Sequence, residues 1–143
     1  MKNTIIIILI IIVCIIISFG YIYSSYNSTI QQVNQFNKEY EYYNQKEVTG
    51  AQIATLINKA IDNNTKNKIQ KDEKGMYIED ELYSIKIDIK ITESNKTFPM
   101  ETISKVGMDQ FVENFSIMNF KCTKIDYHTK SKRVKYVLFE QII

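Results

Sequence analysis

The sequence predicts an α+β chain in which an N-terminal transmembrane helix extends into an amphipathic helix. A small head follows, with an antiparallel sheet of about four to five strands and one or two packed helices. Three observations carry this. Ile5–Tyr23 is an almost unbroken apolar run, apolar positions recur every three or four residues in Ala51–Ile61, and Tyr83–Ile91 alternates strictly between apolar and polar. These are the periods of a buried or lipid-facing helix, a surface helix and a half-buried strand.

The apolar run comes first. At ~1.5 Å per residue its ~19 residues reach ~28 Å, close to the hydrocarbon thickness of a bilayer. Lys2 precedes it and no charge follows until Lys38. By the positive-inside rule, residues 1–4 form a cytoplasmic tail, 5–23 a signal anchor in the cell membrane, and the remainder lies outside. The anchor competes with a cleaved signal peptide, because Ser18-Phe19-Gly20 has the small-x-small form of a cleavage site. Tyr21 and Tyr23 continue past that point and suit a membrane interface.

Residues 24–47 read as an amphipathic stalk helix. Tyr26, Ile30, Val33 and Tyr40 fall on one stripe, with either Phe36 or Asn37 between them. The stripe packs either on the protein's own head or on another chain, a second copy or an envelope protein partner. Val48-Thr49-Gly50 then breaks the helix, and Thr49 with Gln52 has the spacing of a capping box. The helix they open places Ala51, Ile53, Leu56, Ile57, Ala60 and Ile61 on one face and stops at Asp62-Asn63-Asn64.

Residues 48–143 suffice for one small extracytoplasmic α+β domain with a single core. Its main strand is Tyr83–Ile91, with Met76–Ile78 as hairpin partner and Lys68–Gln70 as a short edge. Thr97–Met100 is an edge strand or an irregular crossing, since Pro99 cannot donate to a ladder. Ser104–Phe115 reads as one short helix. Asn119–His128 and Arg133–Gln141 form a terminal hairpin around Thr129–Lys132.

Reactive groups are sparse. His128 is the single histidine, beside a hairpin turn, where hydrogen bonding or solvation is the usual role. With two cysteines, Cys14 in the apolar run and Cys122 in the head, neither a zinc set nor an intramolecular disulfide is expected. Cys122 reads as a small buried apolar residue; an intermolecular bridge is its other reading. There is no G-x-S-x-G elbow, P-loop or dinucleotide fingerprint, so no catalytic, metal or cofactor site is assigned. The acids Asp72, Glu73, Glu79, Asp80 and Glu81 lack the register of a calcium loop and read as a solvated loop.

A balance of 18 basic against 16 acidic residues argues against nucleic acid as a partner. The terminal hairpin is locally basic, with Lys121, Lys124, Lys130, Lys132, Arg133 and Lys135. Outside a membrane these cations would meet anionic lipid or anionic polymer; their plainer role is the wet face of a hairpin, blunting its edge.

The apolar helix, its amphipathic extension and the sheet beyond them resemble the layout of type IV pilins and pseudopilins. That family assembles through its membrane helices. The resemblance carries no processing residue, because no glycine precedes the apolar run and no glutamate lies near its start. VTGAQIATLINKAIDNN, SIKIDIKI and the ending FKCTKIDYH with FEQI are similar to uncharacterised single-pass envelope proteins of low-GC Gram-positive bacteria. Together these imply a membrane-anchored structural or assembly protein without catalysis, the alternative being an envelope-binding module that uses the basic hairpin.

Overall fold

The computed structural model describes residues 2–142; Met1, in the expected cytoplasmic tail, and Ile143 lie outside the described residues. The chain divides into two compact units, Met1–Gln35 and Phe36–Ile143. The first unit is helical throughout its described residues and belongs to α1 (Lys2–Glu41). Its isoleucines face outward, Ile5 at 58% and Ile16 at 64% exposure. An 18-residue window of α1 has mean hydropathy 3.3 with none of it buried, so by length and composition this helix can cross a membrane. Its hydroxyls turn back on the helix. Ser18 Oγ donates to the Cys14 carbonyl (2.8 Å) and Thr29 Oγ1 to that of Ser25 (3.0 Å), the habit of hydroxyls in apolar helices.

The second unit is α+β, as expected. Besides the last turns of α1 it contains β1 (Glu47–Thr49), α2 (Gly50–Lys66), β2 (Lys86–Ile91), β3 (Lys96–Pro99), α3 (Met100–Val106), α4 (Met108–Phe115), β4 (Asn119–Tyr127) and β5 (Val134–Gln141). The strands form one sheet in the order β1-β4-β5-β2-β3.

Helix α1 ends at Glu41, short of the expected Glu47, because the edge of β4 captures the next residues. Gln45 turns with φ 59, its N–H donates to the Cys122 carbonyl (3.0 Å), and Glu47–Thr49 then pairs with β4. Helix propensities at these positions differ by only tenths of a kcal/mol, and a free ladder edge outweighs them. The Thr49–Gln52 capping box forms, with Thr49 N–H on Gln52 Oε1 at 3.0 Å and Gln52 N–H on Thr49 Oγ1 at 3.4 Å. Gly50 is required next to it: a Cβ there would lie 1.9 Å from the Phe115 carbonyl oxygen. Helix α2 runs past Asp62-Asn63-Asn64 to Lys66. The amides of Asn63 and Asn64 bond outward, to Tyr83 and Ile85, and so do not compete for their own backbone.

Lys68–Gln70 and Met76–Ile78 do not join the sheet but meet each other. Ile78 N–H donates to the Gln70 carbonyl, Asp72 N–H to that of Met76, and Lys71 bridges Tyr77. Strand β2 is shorter than the alternation implied, because the N–H groups of Ser84 and Ile85 donate to the side chains of Asp80 and Asn64 instead of to a neighbouring strand. Its partners are β3, antiparallel, and β5, parallel, so the sheet is mixed. Period two decides which face is buried and is silent on the neighbour's direction. Pro99 sits on the edge strand β3, opposite Asp88. The single helix expected over Ser104–Phe115 is two, divided at Gly107, whose φ of 124° no side-chain-bearing residue adopts readily.

The inner sheet face carries Ile87 and Ile89 opposite Val137 and Phe139, with Cys122 beyond Phe139. All are essentially buried and form one core with Ile53, Ile57, Met100 and Phe111 of the helices. In β5 the inward residues are Val134, Val137 and Phe139, not a simple alternation, because the β4–β5 ladder slips at Asp126/Tyr127 and at Cys122/Lys124.

Candidate functional site

The structure separates the four stripe residues. In the first unit Tyr26 (63%) and Ile30 (39%) are exposed, and Val33 is half-buried. In the second unit Tyr40 is 1% exposed and packs on Phe36, ring centroids 5.2 Å apart. Burial, reinforced by the charge of Glu39, pushes the Tyr40 hydroxyl pKa above its usual range. Tyr40 is core, which leaves Tyr26 and Ile30 as the part of the stripe open to another chain.

The six hairpin cations do not form one free patch either. Lys124 pairs with Asp126 at 2.8 Å, Lys135 with Glu79 at 2.9 Å, and Lys130 with Glu81. Glu79 and Glu81 belong to the acidic segment that reads from sequence as a solvated loop; folding lays it against the hairpin. The Arg133 guanidinium lies 3.9 Å from the Phe36 ring centroid and donates to Asn63 Oδ1 at 3.0 Å. Burial lowers its pKa despite nearby Tyr83, Tyr40 and Asp80. Among the described residues only Lys121 and Lys132 of the six are exposed without an acidic or aromatic partner.

Several buried polar side chains are committed to building the head. His128, 3% exposed, sets Nε2 against the Ser84 carbonyl at 2.7 Å. Asn64 sits fully buried on the apolar face of α2. It donates Nδ2–H to the Ile85 carbonyl (2.8 Å) and accepts the Ile85 N–H on Oδ1 (2.9 Å). Asn37 treats the start of β5 the same way, donating to the Lys132 carbonyl (2.8 Å) and accepting from Val134 N–H (2.9 Å). Each amide thus replaces a neighbouring strand where one of the two parallel strands begins. Asp80 accepts N–H bonds from Leu82, Tyr83 and Ser84 at 3.1, 2.8 and 2.7 Å. Burial raises the Asp80 pKa, but these bonds outweigh it and the net shift is downward. Sequence reasoning missed both clamps, though a signal exists: an asparagine at an apolar stripe position must find partners once buried.

Cys122 is fully buried. Burial pushes its thiol up to about 11, against lowering by bonds involving Lys124 and Gln45. No group of three or more histidine, cysteine or acidic side chains suited to a metal occurs among the described residues.

Among the described residues, two cavities stand out on the second unit. One, about 200 Å³, is an apolar groove between β2–β3 and the α3–α4 pair, with Ile91, Phe98 and Phe115 in its walls. The other, about 570 Å³, lies between the 71–77 turn and α3, with Lys71, Lys74 and Lys105 around it. The sequence hid the second, because Lys105 is remote in the chain and the other two sit within an acidic-looking segment.

No protein-family model, curated protein or solved structure matches this chain.

Proposed function

We propose that this is a single-pass membrane protein whose head acts outside the cytoplasm as a non-catalytic structural or assembly component. The observation behind this reading is the helix that presents isoleucine outward along its first turns, with none of its apolar window buried. In water such a surface associates; in lipid it is matched. The charge arrangement, Lys2 before the run and none until Lys38, orients the head outward across the cell membrane. The engagement of His128, Asp80, Asn37 and Asn64 in backbone contacts supports a scaffold more than a reaction centre.

Assembly, with a second copy or an envelope protein, would use the exposed Tyr26 and Ile30. The test is fractionation of the native chain followed by disulfide trapping. Recovery at full mass in the membrane fraction, with the head open to an impermeant lysine reagent from outside, is expected; a full-length or shortened chain in the medium would refute the anchor. With Cys14→Ser in place, Ile30→Cys should yield a discrete cross-linked species, and a clean monomer would refute assembly through this face.

A further inference from the structure

We infer that the cleft between the 71–77 turn and α3 binds a phosphate monoester carried on a small organic group. The turn is built to hold its shape. Asp72 Oδ1 accepts the N–H groups of Lys74 and Met76, both at 2.9 Å, and Gly75 supplies φ 84. Lys71 lies over the Tyr77 ring, 4.5 Å from its centroid. Tyr77 is itself buried and is tied to α3 through its N–H on Glu101 Oε1 at 3.0 Å. Lys71 and Lys74 of the turn line the same cleft as Thr102, Ser104 and Lys105 of α3.

Three lysines line this one cleft, and an anion bound there would offset the repulsion among their like charges. Lys124, Lys130 and Lys135 of the hairpin found acids, but among the described residues none of the three cleft lysines forms an ion pair. The one carboxylate in the lining, Glu101, is nearly buried and occupied by Tyr77 N–H. Low-dielectric walls concentrate such a field. A phosphate monoester offers two charges and three terminal oxygens to three ammonium and two hydroxyl donors; a carboxylate offers one charge and two oxygens. At about 570 Å³ the cleft exceeds what phosphate alone needs, and it lies within the ~300–1,000 Å³ range of small-molecule sites. Ile61 and Tyr77 offer apolar surface to the organic part. All of these residues belong to the second unit, so the inference does not depend on the membrane reading.

The test is amide-resolved NMR on the full chain in uncharged micelles, titrated with glycerol 3-phosphate and, at equal ionic strength, with acetate or chloride. A second arm places the chain in phosphatidylcholine nanodiscs with or without phosphatidic acid, whose headgroup is also a phosphate monoester. Saturable shifts at Lys71, Gly75, Thr102 and Lys105 in the first arm identify a soluble ligand, and in the second arm alone a lipid one. Lys71→Gln/Lys74→Gln/Lys105→Gln should weaken binding at least ten-fold, and Lys130→Gln/Lys132→Gln should leave it unchanged. All five lysines are exposed, and an unchanged melting temperature verifies the fold of each variant. Shifts in neither arm, shifts that merely follow ionic strength, or binding retained by the triple variant would overturn the inference.

Discussion

The two units of this chain place the same residue type in opposite surroundings. In the first, isoleucine covers the outside of α1, and the hydroxyls of Ser18 and Thr29 are folded back onto the helix. In the second, isoleucine lines the inner sheet face, and buried amides reach across to complete the backbone of another element. The contrast teaches where polar groups turn for partners: along the same helix in the first unit, across to another element in the second. A helix satisfies its own backbone, so it can meet lipid all round; a sheet needs neighbours, so the head must close a core around them.

The largest expected effect breaks the first side of the contrast alone. Ile11→Asp/Ile15→Asp should oppose insertion by about 5–7 kcal/mol, from ~2.5–3.5 per central acid. It should release protein from the membrane fraction while the melting temperature of the head stays constant. Phe139→Ala does the reverse: a fully buried ring is lost at about 3–5 kcal/mol. Urea unfolding of the micelle-bound chain would show the drop, with membrane retention unchanged.

Asn64→Ala tests the clamp. It orphans the N–H and carbonyl of Ile85 at about 1–3 kcal/mol for each group. Asn64→Leu, similar in volume, should not restore stability, because the missing element is polar and not space. Smaller still are two pH effects. The lowered Asp80 pKa means its folded-state bonds add stability above the ordinary carboxylate range, lost as pH falls through the folded pKa. The thiol of Cys122 is raised from 9.0 to about 11, so its contribution is complete below 9.0 and declines as pH climbs toward 11. Asp80→Asn and Cys122→Ala should each flatten the corresponding limb of a stability–pH curve. The smallest effect is Lys130→Gln at an exposed ion pair, expected to shift stability by less than about 1 kcal/mol.

Much of the head was legible residue by residue. The Thr49–Gln52 cap, the apolar face of α2, the alternation through Ile87 and Ile89 and the terminal hairpin are local patterns, written within a few residues of one another. The errors share a cause. The end of α1, the fate of Met76–Ile78 and the parallel β2–β5 pairing each depended on a partner far along the chain. The candidate cations show the same limit. Lys124, Lys130 and Lys135 cluster in sequence and are paired with acids in space, whereas Lys105, remote in sequence from Lys71 and Lys74, lines the same cleft as they do.

Local apolar periodicity accounts for the lipid-compatible helix, the α+β class and the buried faces of α2 and β2, since hydrophobic burial follows the local period of apolar residues. Long-range packing settled which strands became neighbours, which asparagines became clamps and which lysines were left without an acid. Those outcomes depend on distances between segments whose separation along the chain carries no information about their separation in space.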